Sequence, residues 1–151
     1  MRQKLIPLVA LVLALTAGCE GGIPLRQDSQ ETRDRYMAYA GPPVDQLTWM
    51  GSYSGWEALG RDQLVLFTGV SDAYLLKVWA PCDLRFVVDR IGLTTTSHTV
   101  YARLDSIVVQ SRGMGPMRCP IEEIRKIDYR QMRADLRTQA QASKAAPQAA
   151  Q

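Results

Sequence analysis

The first nineteen residues constrain the fold most, because they determine the compartment in which the rest of the chain folds. Arg2 and Lys4 precede an apolar run of 11 residues, Leu5–Leu15. A membrane-spanning helix needs about 20 apolar residues, so this run is too short to cross a bilayer and matches the apolar core of a secretory signal peptide. Small residues and then Cys19 follow it. The sequence therefore predicts an exported chain whose signal peptide is residues 1–18.

The end of this leader, Thr16-Ala17-Gly18-Cys19, resembles the lipobox of bacterial lipoproteins. The resemblance implies cleavage before Cys19 and attachment of two or three acyl chains, such as palmitate, to that residue, which is enough for stable membrane anchoring. Glu20 stands where Asp usually retains a lipoprotein at the inner membrane. The resemblance therefore implies anchoring at the periplasmic face of the outer membrane. The alternative is an ordinary signal peptide cleaved near Ala17, which would leave Cys19 as a free thiol.

Charge and composition exclude several classes of protein. The formal charge of +3 falls to +1 once Arg2 and Lys4 are removed with the leader. That balance does not suit a strongly basic nucleic-acid binder. The chain is 46% hydrophobic and 22% charged, as in an ordinary globular protein and unlike a collagen or a polytopic membrane protein. The sequence contains no P-loop, dinucleotide-binding or zinc-protease motif, and we predict no cofactor.

The mature chain divides into three segments by composition. Residues 19–43 carry many charges and few apolar side chains, which predicts a lipid-anchored flexible tether with at most a short helical turn near Glu31–Ala38. Residues 44–137 are predicted to form a β-rich domain. Residues 138–151 are rich in Ala and Gln and contain no Leu, Ile, Val or aromatic residue, so they are predicted to form a disordered tail.

The apolar patterns of the central segment predict an antiparallel sheet. Leu64–Thr68 is a continuous apolar run, as expected of a central strand. Ala73–Trp79 and Thr99–Leu104 alternate between apolar and polar residues, and the turns at Gly60–Gln63 and Gly69–Asp72 predict hairpins. We therefore predict a mainly β or α+β fold, in which an antiparallel sheet or partly closed barrel is followed by a C-terminal helix.

Several local features refine this prediction. The apolar phase slips by one residue at Asp105, which predicts a bulge or bend. The segments Leu84–Ile91 and 121–127 each fit either helical spacing or a strand. Asp128 is predicted to cap the final helix, with Gln131 at the capping-box position.

Cys82 and Cys119 are the two cysteines that remain once Cys19 is acylated. In an exported chain, two such cysteines predict a disulfide, which would stabilise a domain of this size by roughly 3–4 kcal/mol. The alternative is a metal site formed by both thiolates and His98. It is disfavoured because a fourth ligand and the usual C-x-x-C spacing are missing.

Two catalytic arrangements can be tested on the sequence. Gly69–Ala73 comes within one residue of the G-x-S-x-G motif of serine hydrolases, but the segment is predicted to be a hairpin turn rather than a strand-to-helix elbow. Asp83, Asp89 and Asp105 could serve as acid and base in a carboxylate cleft. Neighbouring arginines make surface ion pairs the preferred interpretation of these aspartates.

Aromatic and arginine residues provide the candidate binding surfaces. Arg130, Arg133 and Arg137 share one face of the predicted final helix, where they could contact anionic lipid or another protein, although a solvated basic face is the simpler interpretation. Several aromatic side chains could stack on sugars, although packing within the sheet is favoured. These are Trp49, Trp56, Trp79, Tyr53, Tyr74 and Tyr101.

Several short segments in the central part of the chain carry a resemblance to a known family. They are Trp56–Gly60, Ala73–Leu76, Cys82–Phe86, Ile91–Thr94, Leu104–Ile107, Cys119, Ile121, Ile124 and Asp128. In their order and spacing they resemble a family of small proteobacterial envelope proteins of unknown function. The resemblance implies export and a domain with paired cysteines, but no activity. The resemblance neither supports nor excludes an enzyme. From the residues themselves we expect a non-catalytic binding or structural module with an envelope protein or glycan as partner. The alternative is a small periplasmic enzyme.

Overall fold

A computed structural model describes residues 30–86, 90–111 and 114–145 of the chain. This part of the chain contains two α-helices, nine strands and one 3₁₀ turn at Leu84–Phe86. The helices are α1 (Gln30–Ala38) and α2 (Tyr129–Ala145). The strands are β1 (Ala40–Val44), β2 (Gln46–Thr48), β3 (Gly55–Ala58), β4 (Gln63–Phe67), β5 (Ala73–Val78), β6 (Arg90–Leu93), β7 (Thr99–Tyr101), β8 (Ser106–Ser111) and β9 (Met114–Ile127).

The strands form a curled, antiparallel half-barrel followed by the C-terminal helix, which confirms the predicted fold class. Seven strands belong to one sheet, in the order β3-β4-β5-β9-β8-β6, and β1 also pairs with β9. The long strand β9 is central, because its second half pairs with β5 and β1 while its first half pairs with β8. A separate two-stranded ribbon joins β2 to β7.

The sheet buries apolar side chains on both faces, which explains the continuous apolar run of β4. Leu64 and Leu66 lie in the larger cluster, which we call the inner core, within the curve of the half-barrel. Val65 points to the opposite face and into a second cluster beneath the two helices. We call this second cluster the helix-side core; its buried members are Tyr36, Leu59, Val65, Ala73, Leu75, Ile127 and Met132.

The domain begins earlier than the sequence predicted, because part of the predicted tether is packed. Residues 30–38 form α1, and Tyr36 is buried with its hydroxyl donating a hydrogen bond to Glu57 at 2.8 Å. Burial, together with this bond to a carboxylate, raises the pKa of Tyr36. Arg33 donates to the carbonyl oxygen of Leu59 at 3.2 Å. The rest of the predicted tether, residues 19–29, lies outside the described residues.

The C-terminal boundary also differs from the prediction, since α2 continues to Ala145 and thus into the predicted tail. Its start agrees with the sequence: an Asp128 carboxylate oxygen accepts a hydrogen bond from the backbone N–H of Gln131 at 3.0 Å. The Gln131 amide donates to Asp135 at 2.9 Å instead of returning to the cap. Residues 146–151 lie outside the described residues.

The structure assigns one ambiguous segment completely and the other in part. Residues 121–127 belong to β9. Within Leu84–Ile91, Leu84–Phe86 is a 3₁₀ turn and β6 begins at Arg90, whereas residues 87–89 lie outside the described residues. Asp105 is not a bulge within one strand, because β7 and β8 are separate strands that pair with different partners. The helices of the described ranges include none that is long and apolar enough to cross a membrane.

Cys82 and Cys119 form a disulfide, as the sequence predicted, with their Cα atoms 5.7 Å apart. The bond joins the loop after β5 to the middle of β9, where Cys119 is fully buried in the inner core. Over the residues that the structure describes, no group of three or more His, Cys, Asp or Glu side chains could hold a metal ion.

We predict that the double substitution Cys82→Ala/Cys119→Ala lowers the free energy of unfolding by about 3–4 kcal/mol, because the bridge closes a loop with a sequence separation of 37. Chemical denaturation with and without a reductant measures this loss. Reductant should destabilise the native chain by the same amount and leave the double variant unchanged. Equal stability of the oxidised native chain and the double variant would contradict the prediction.

Candidate basic groove

The first turns of α2 form one wall of an open groove on the helix side of the sheet. The opposite wall is the tight turn between β4 and β5, in which the backbone N–H of Thr68 donates to the carbonyl oxygen of Asp72 at 3.0 Å. The groove consists of two adjoining hollows that share Ser71, Tyr129 and Arg130.

The two hollows differ in size and charge. The wider hollow has a volume of about 610 Å³ and lies over the end of β9; its lining residues are Tyr39, Gly41, Ser71, Asp72, Lys126, Ile127, Asp128, Tyr129 and Arg130. The second, which we call the arginine hollow, has a volume of about 230 Å³; its lining residues are Val70, Ser71, Tyr129, Arg130, Arg133, Ala134 and Arg137. The arginine hollow thus contains three cationic side chains and no acidic one.

The packing of α2 explains why these arginines face the groove. Met132 is buried in the helix-side core and Leu136 packs against it, so this apolar stripe fixes the rotation of the helix. Arg130, Arg133 and Arg137 share a neighbouring stripe, because residues three, four and seven apart lie on the same side of a helix. The predicted arginine stripe is therefore present, with Arg130 and Arg137 exposed and Arg133 half-buried.

Arg133 is held in place by two contacts. Its guanidinium carbon lies 5.7 Å from the centre of the Tyr129 ring, within the range of a cation–π interaction. Its Nη1 donates to the carbonyl oxygen of Val70 at 3.4 Å. Tyr129 itself is fixed by a tilted contact with Phe67, with ring centres 5.2 Å apart. Arg133 therefore links α2 to the turn that forms the opposite wall.

The acidic residues around the groove are already engaged by other groups. Asp72 pairs with Lys126 at 3.6 Å, and Asp128 caps α2. Asp135 accepts a hydrogen bond from the Tyr39 hydroxyl at 2.7 Å, and this bond raises the pKa of Tyr39. Within the described ranges, no carboxylate forms an ion pair with any of the three arginines, so their positive charge stays available to a ligand.

Asp83, one of the candidate catalytic carboxylates, is the centre of a surface ion-pair network. It accepts hydrogen bonds from the Arg85 side chain at 2.7 and 2.9 Å, and Arg61 lies 3.2 Å away. The hydrogen bonds from Arg85 lower the pKa of Asp83 to about 2. A carboxylate with so low a pKa stays ionised near neutral pH, which is unsuited to proton transfer there.

Asp105 is buried and closes the connection between β7 and β8. Its carboxylate accepts a hydrogen bond from the Thr94 hydroxyl at 2.7 Å and another from the backbone N–H of Tyr101 at 2.8 Å. The Thr94 oxygen in turn accepts from the backbone N–H of Ser106 at 2.8 Å. In the described residues no contact joins Asp105 to Asp83, and Asp89 lies outside them.

The candidate serine and most of the candidate aromatic side chains belong to the turns, cores and strands of the fold. Ser71 lies in the β4–β5 hairpin turn, as predicted, and not in a strand-to-helix elbow. Trp49 is buried and stacks on Tyr53, with ring centres 6.1 Å apart. Trp56 and Tyr74 pack against the inner core, and Tyr101 pairs with Gln46 in the two-stranded ribbon. Trp79 is 51% exposed and remains available for stacking on a ligand.

Comparison with known proteins identifies a family but no activity. The model of a family of unknown function (DUF6491) matches residues 1–143. No curated protein matches the chain, and no solved structure matches it.

We predict that Asp83→Asn destabilises the domain by about 1 kcal/mol near neutral pH, since the arginine partners are partly exposed and screened. The folded pKa of Asp83 lies below its ordinary value, so its contribution is complete above about pH 4. It is lost as the pH falls towards 2. Denaturation of both chains across this range should show their difference shrinking with acidification. A difference that does not depend on pH would contradict the assignment.

We predict that Asp105→Asn lowers the free energy of unfolding by about 1–3 kcal/mol, because an amide cannot accept both hydrogen bonds and leaves a buried donor unsatisfied. Thr94→Val removes one of the same bonds from the other side and serves as the matched partner. The two substitutions together should cost less than the sum of their separate effects. Strict additivity in denaturant unfolding would show that the two side chains do not act as one unit.

Proposed function

Because the chain belongs to the DUF6491 family of unknown function, its role has to be inferred from its own residues, and we propose that it is a lipid-anchored protein of the bacterial cell envelope. Residues 1–18 act as the signal peptide and Cys19 carries the lipid. The domain faces the periplasm at the outer membrane and works as a non-catalytic binding module. The family match includes the leader, since it begins at residue 1.

The observation that supports a binding role is the basic groove. Its arginine hollow is open, carries three cationic side chains and has no acidic lining residue. Binding sites of this kind recognise anionic groups through charge-assisted hydrogen bonds. By contrast, Asp83 is held ionised by arginines and Asp105 is occupied with backbone and hydroxyl donors. These contacts favour structural roles for both carboxylates and weaken the alternative of a carboxylate-based enzyme.

Partners other than an anionic ligand remain predictions. The glycan expected from the aromatic residues would have Trp79 as its contact, because that indole is half exposed while Trp49 is buried. An envelope protein could dock at the same basic groove. Neither partner is required for the proposed membrane attachment.

The anchor is tested on Cys19. We expect mass spectrometry of the membrane-extracted protein to find an N-terminal peptide that starts at Cys19 and carries a diacylglyceryl group with a further acyl chain. The matched control has Cys19→Ala and, in place of residues 1–18, the cleavable signal peptide of a soluble secreted protein. This control should fractionate with the soluble periplasm. An unmodified Cys19 thiol, or a native chain in the soluble fraction, would overturn the lipid anchor.

A second substitution tests sorting between the two membranes. Lipoproteins with Asp after the lipidated cysteine are usually retained at the inner membrane, so Glu20→Asp should move the protein there, whereas the native chain should fractionate with the outer membrane. Separation of the two membranes by density measures both. Native protein at the inner membrane would contradict the proposed location while leaving the anchor intact.

A further inference from the structure

We propose that the arginine hollow binds the phosphate groups of anionic phospholipids, so that the domain lies with the α2 face against the membrane that carries its anchor. This inference extends the proposed function, which supplies the membrane. The binding itself depends only on side chains of the folded domain, and it can be measured without the lipid on Cys19.

The charge of the hollow favours phosphate as the ligand group. Arg130 and Arg137 are exposed and flank Arg133 along the same helix face. A guanidinium presents a planar set of N–H donors that matches phosphate oxygens, and it stays charged at any physiological pH. Since the hollow contains no carboxylate, an entering phosphate meets three cations without a competing anion.

The hollow is also preorganised. Arg133 lies over the Tyr129 ring and donates one of its five N–H groups to Val70, which leaves the others for a ligand. The Asp72 and Asp128 carboxylates line only the wider hollow next to it. Asp72 is balanced by Lys126, and Asp128 is occupied as the helix cap. The surrounding carboxylates therefore do not neutralise the positive charge of the arginines.

The turn opposite the arginines favours a lipid surface over a small soluble anion. Val70 is 81% exposed at the tip of the β4–β5 turn and lines the arginine hollow. An exposed aliphatic side chain beside clustered arginines is the combination by which proteins attach to anionic bilayers, with the apolar group among acyl chains and the cations at the headgroups. A site for free phosphate would gain nothing from this side chain.

The chain length between anchor and groove is compatible with this orientation. Residues 19–29 can span at most about 40 Å, and α1 leads from them to Tyr39, which lines the wider hollow. The backbone N–H of Asp128 donates to the Tyr39 carbonyl oxygen at 2.9 Å, so the end of α1 is fixed beside the start of α2. The lipid on Cys19 can therefore enter the same bilayer that the arginines contact.

The test uses the soluble control described above, which has Cys19→Ala and lacks the lipid, with vesicles of phosphatidylcholine alone or of equal parts phosphatidylcholine and phosphatidylglycerol. We expect cosedimentation with the anionic vesicles only, weakening as salt is added. Arg130→Gln/Arg137→Gln should weaken binding roughly tenfold or more. Arg90→Gln/Arg118→Gln removes the same charge from exposed arginines outside the groove, and it should change binding by less than about twofold.

A second variant keeps the test decisive if the first unfolds. The substitution Val70→Asp changes an exposed side chain of the turn and adds a carboxylate to the hollow. It should therefore weaken vesicle binding while leaving the thermal unfolding temperature unchanged. Equal losses in both double-arginine variants would show a general charge effect and overturn the proposal. Absence of binding to anionic vesicles would also overturn it. Inorganic phosphate that displaces the vesicles completely at low millimolar concentration would indicate a soluble-anion site instead.

Discussion

Hydrogen bonds along both edges of β9 hold the seven-stranded sheet together. One edge pairs with β5, and the opposite edge pairs with β8 in the first half of the strand and with β1 in the second. At Ile124 the strand has Leu76 on one side and Val44 on the other. The second half of β9 is paired on both edges, and its side chains Ile121, Ile124 and Ile127 are buried. Disruption of β9 would therefore separate the β3-β4-β5 hairpins from the β8-β6 pair, and no other strand of the described sheet links them.

The central strand also connects the two cores to the groove. Ile121 and Ile124 lie in the inner core, whereas Ile127 lies in the helix-side core at the point where the chain turns into α2. Asp128 follows at once and caps the helix. Because the strand end and the helix start are both fixed by burial, the direction of α2 over the sheet is fixed too. The arginine stripe faces the β4–β5 turn as a consequence of how the core packs.

Apolar patterns in the sequence predicted the strands well where all side chains on one face of a strand have the same surroundings. The continuous apolar run Leu64–Thr68 predicted a central strand, and both faces of the observed strand β4 are indeed covered. The spacing of Ile121 and Ile124 was ambiguous for a physical reason: the pairing with β5 shifts register between Lys77 and Val78. This irregularity lets two residues three apart face the same core. In a regular strand such residues would face opposite sides of the sheet, and for this reason their spacing resembled that of a helix.

Composition was a poorer guide at the N-terminal end of the domain. The segment 30–43 is polar overall, yet the buried Tyr36, which donates a hydrogen bond to Glu57, and Arg33, which donates one to the Leu59 carbonyl oxygen, attach it to the β3–β4 hairpin. Such anchors depend on a surface formed by distant residues, so no local pattern predicts them. The same applies to the groove. Helical spacing predicted that the arginines share a face, but only the folded chain shows that Val70 and Ser71 stand opposite.

The proposed lipid anchor lowers the affinity that the groove needs for the membrane surface. A protein that is already tethered at a membrane meets its headgroups at a high effective concentration, so a second contact of low intrinsic affinity is populated without any further diffusional encounter. In this proposal the anchor supplies the attachment and the arginine hollow supplies the orientation. Loss of Arg130 and Arg137 in the lipidated protein should therefore leave the chain in the membrane fraction and free the domain to rotate about its tether. Substitutions of these arginines that weaken membrane binding only in the protein without its lipid are consistent with this division of roles.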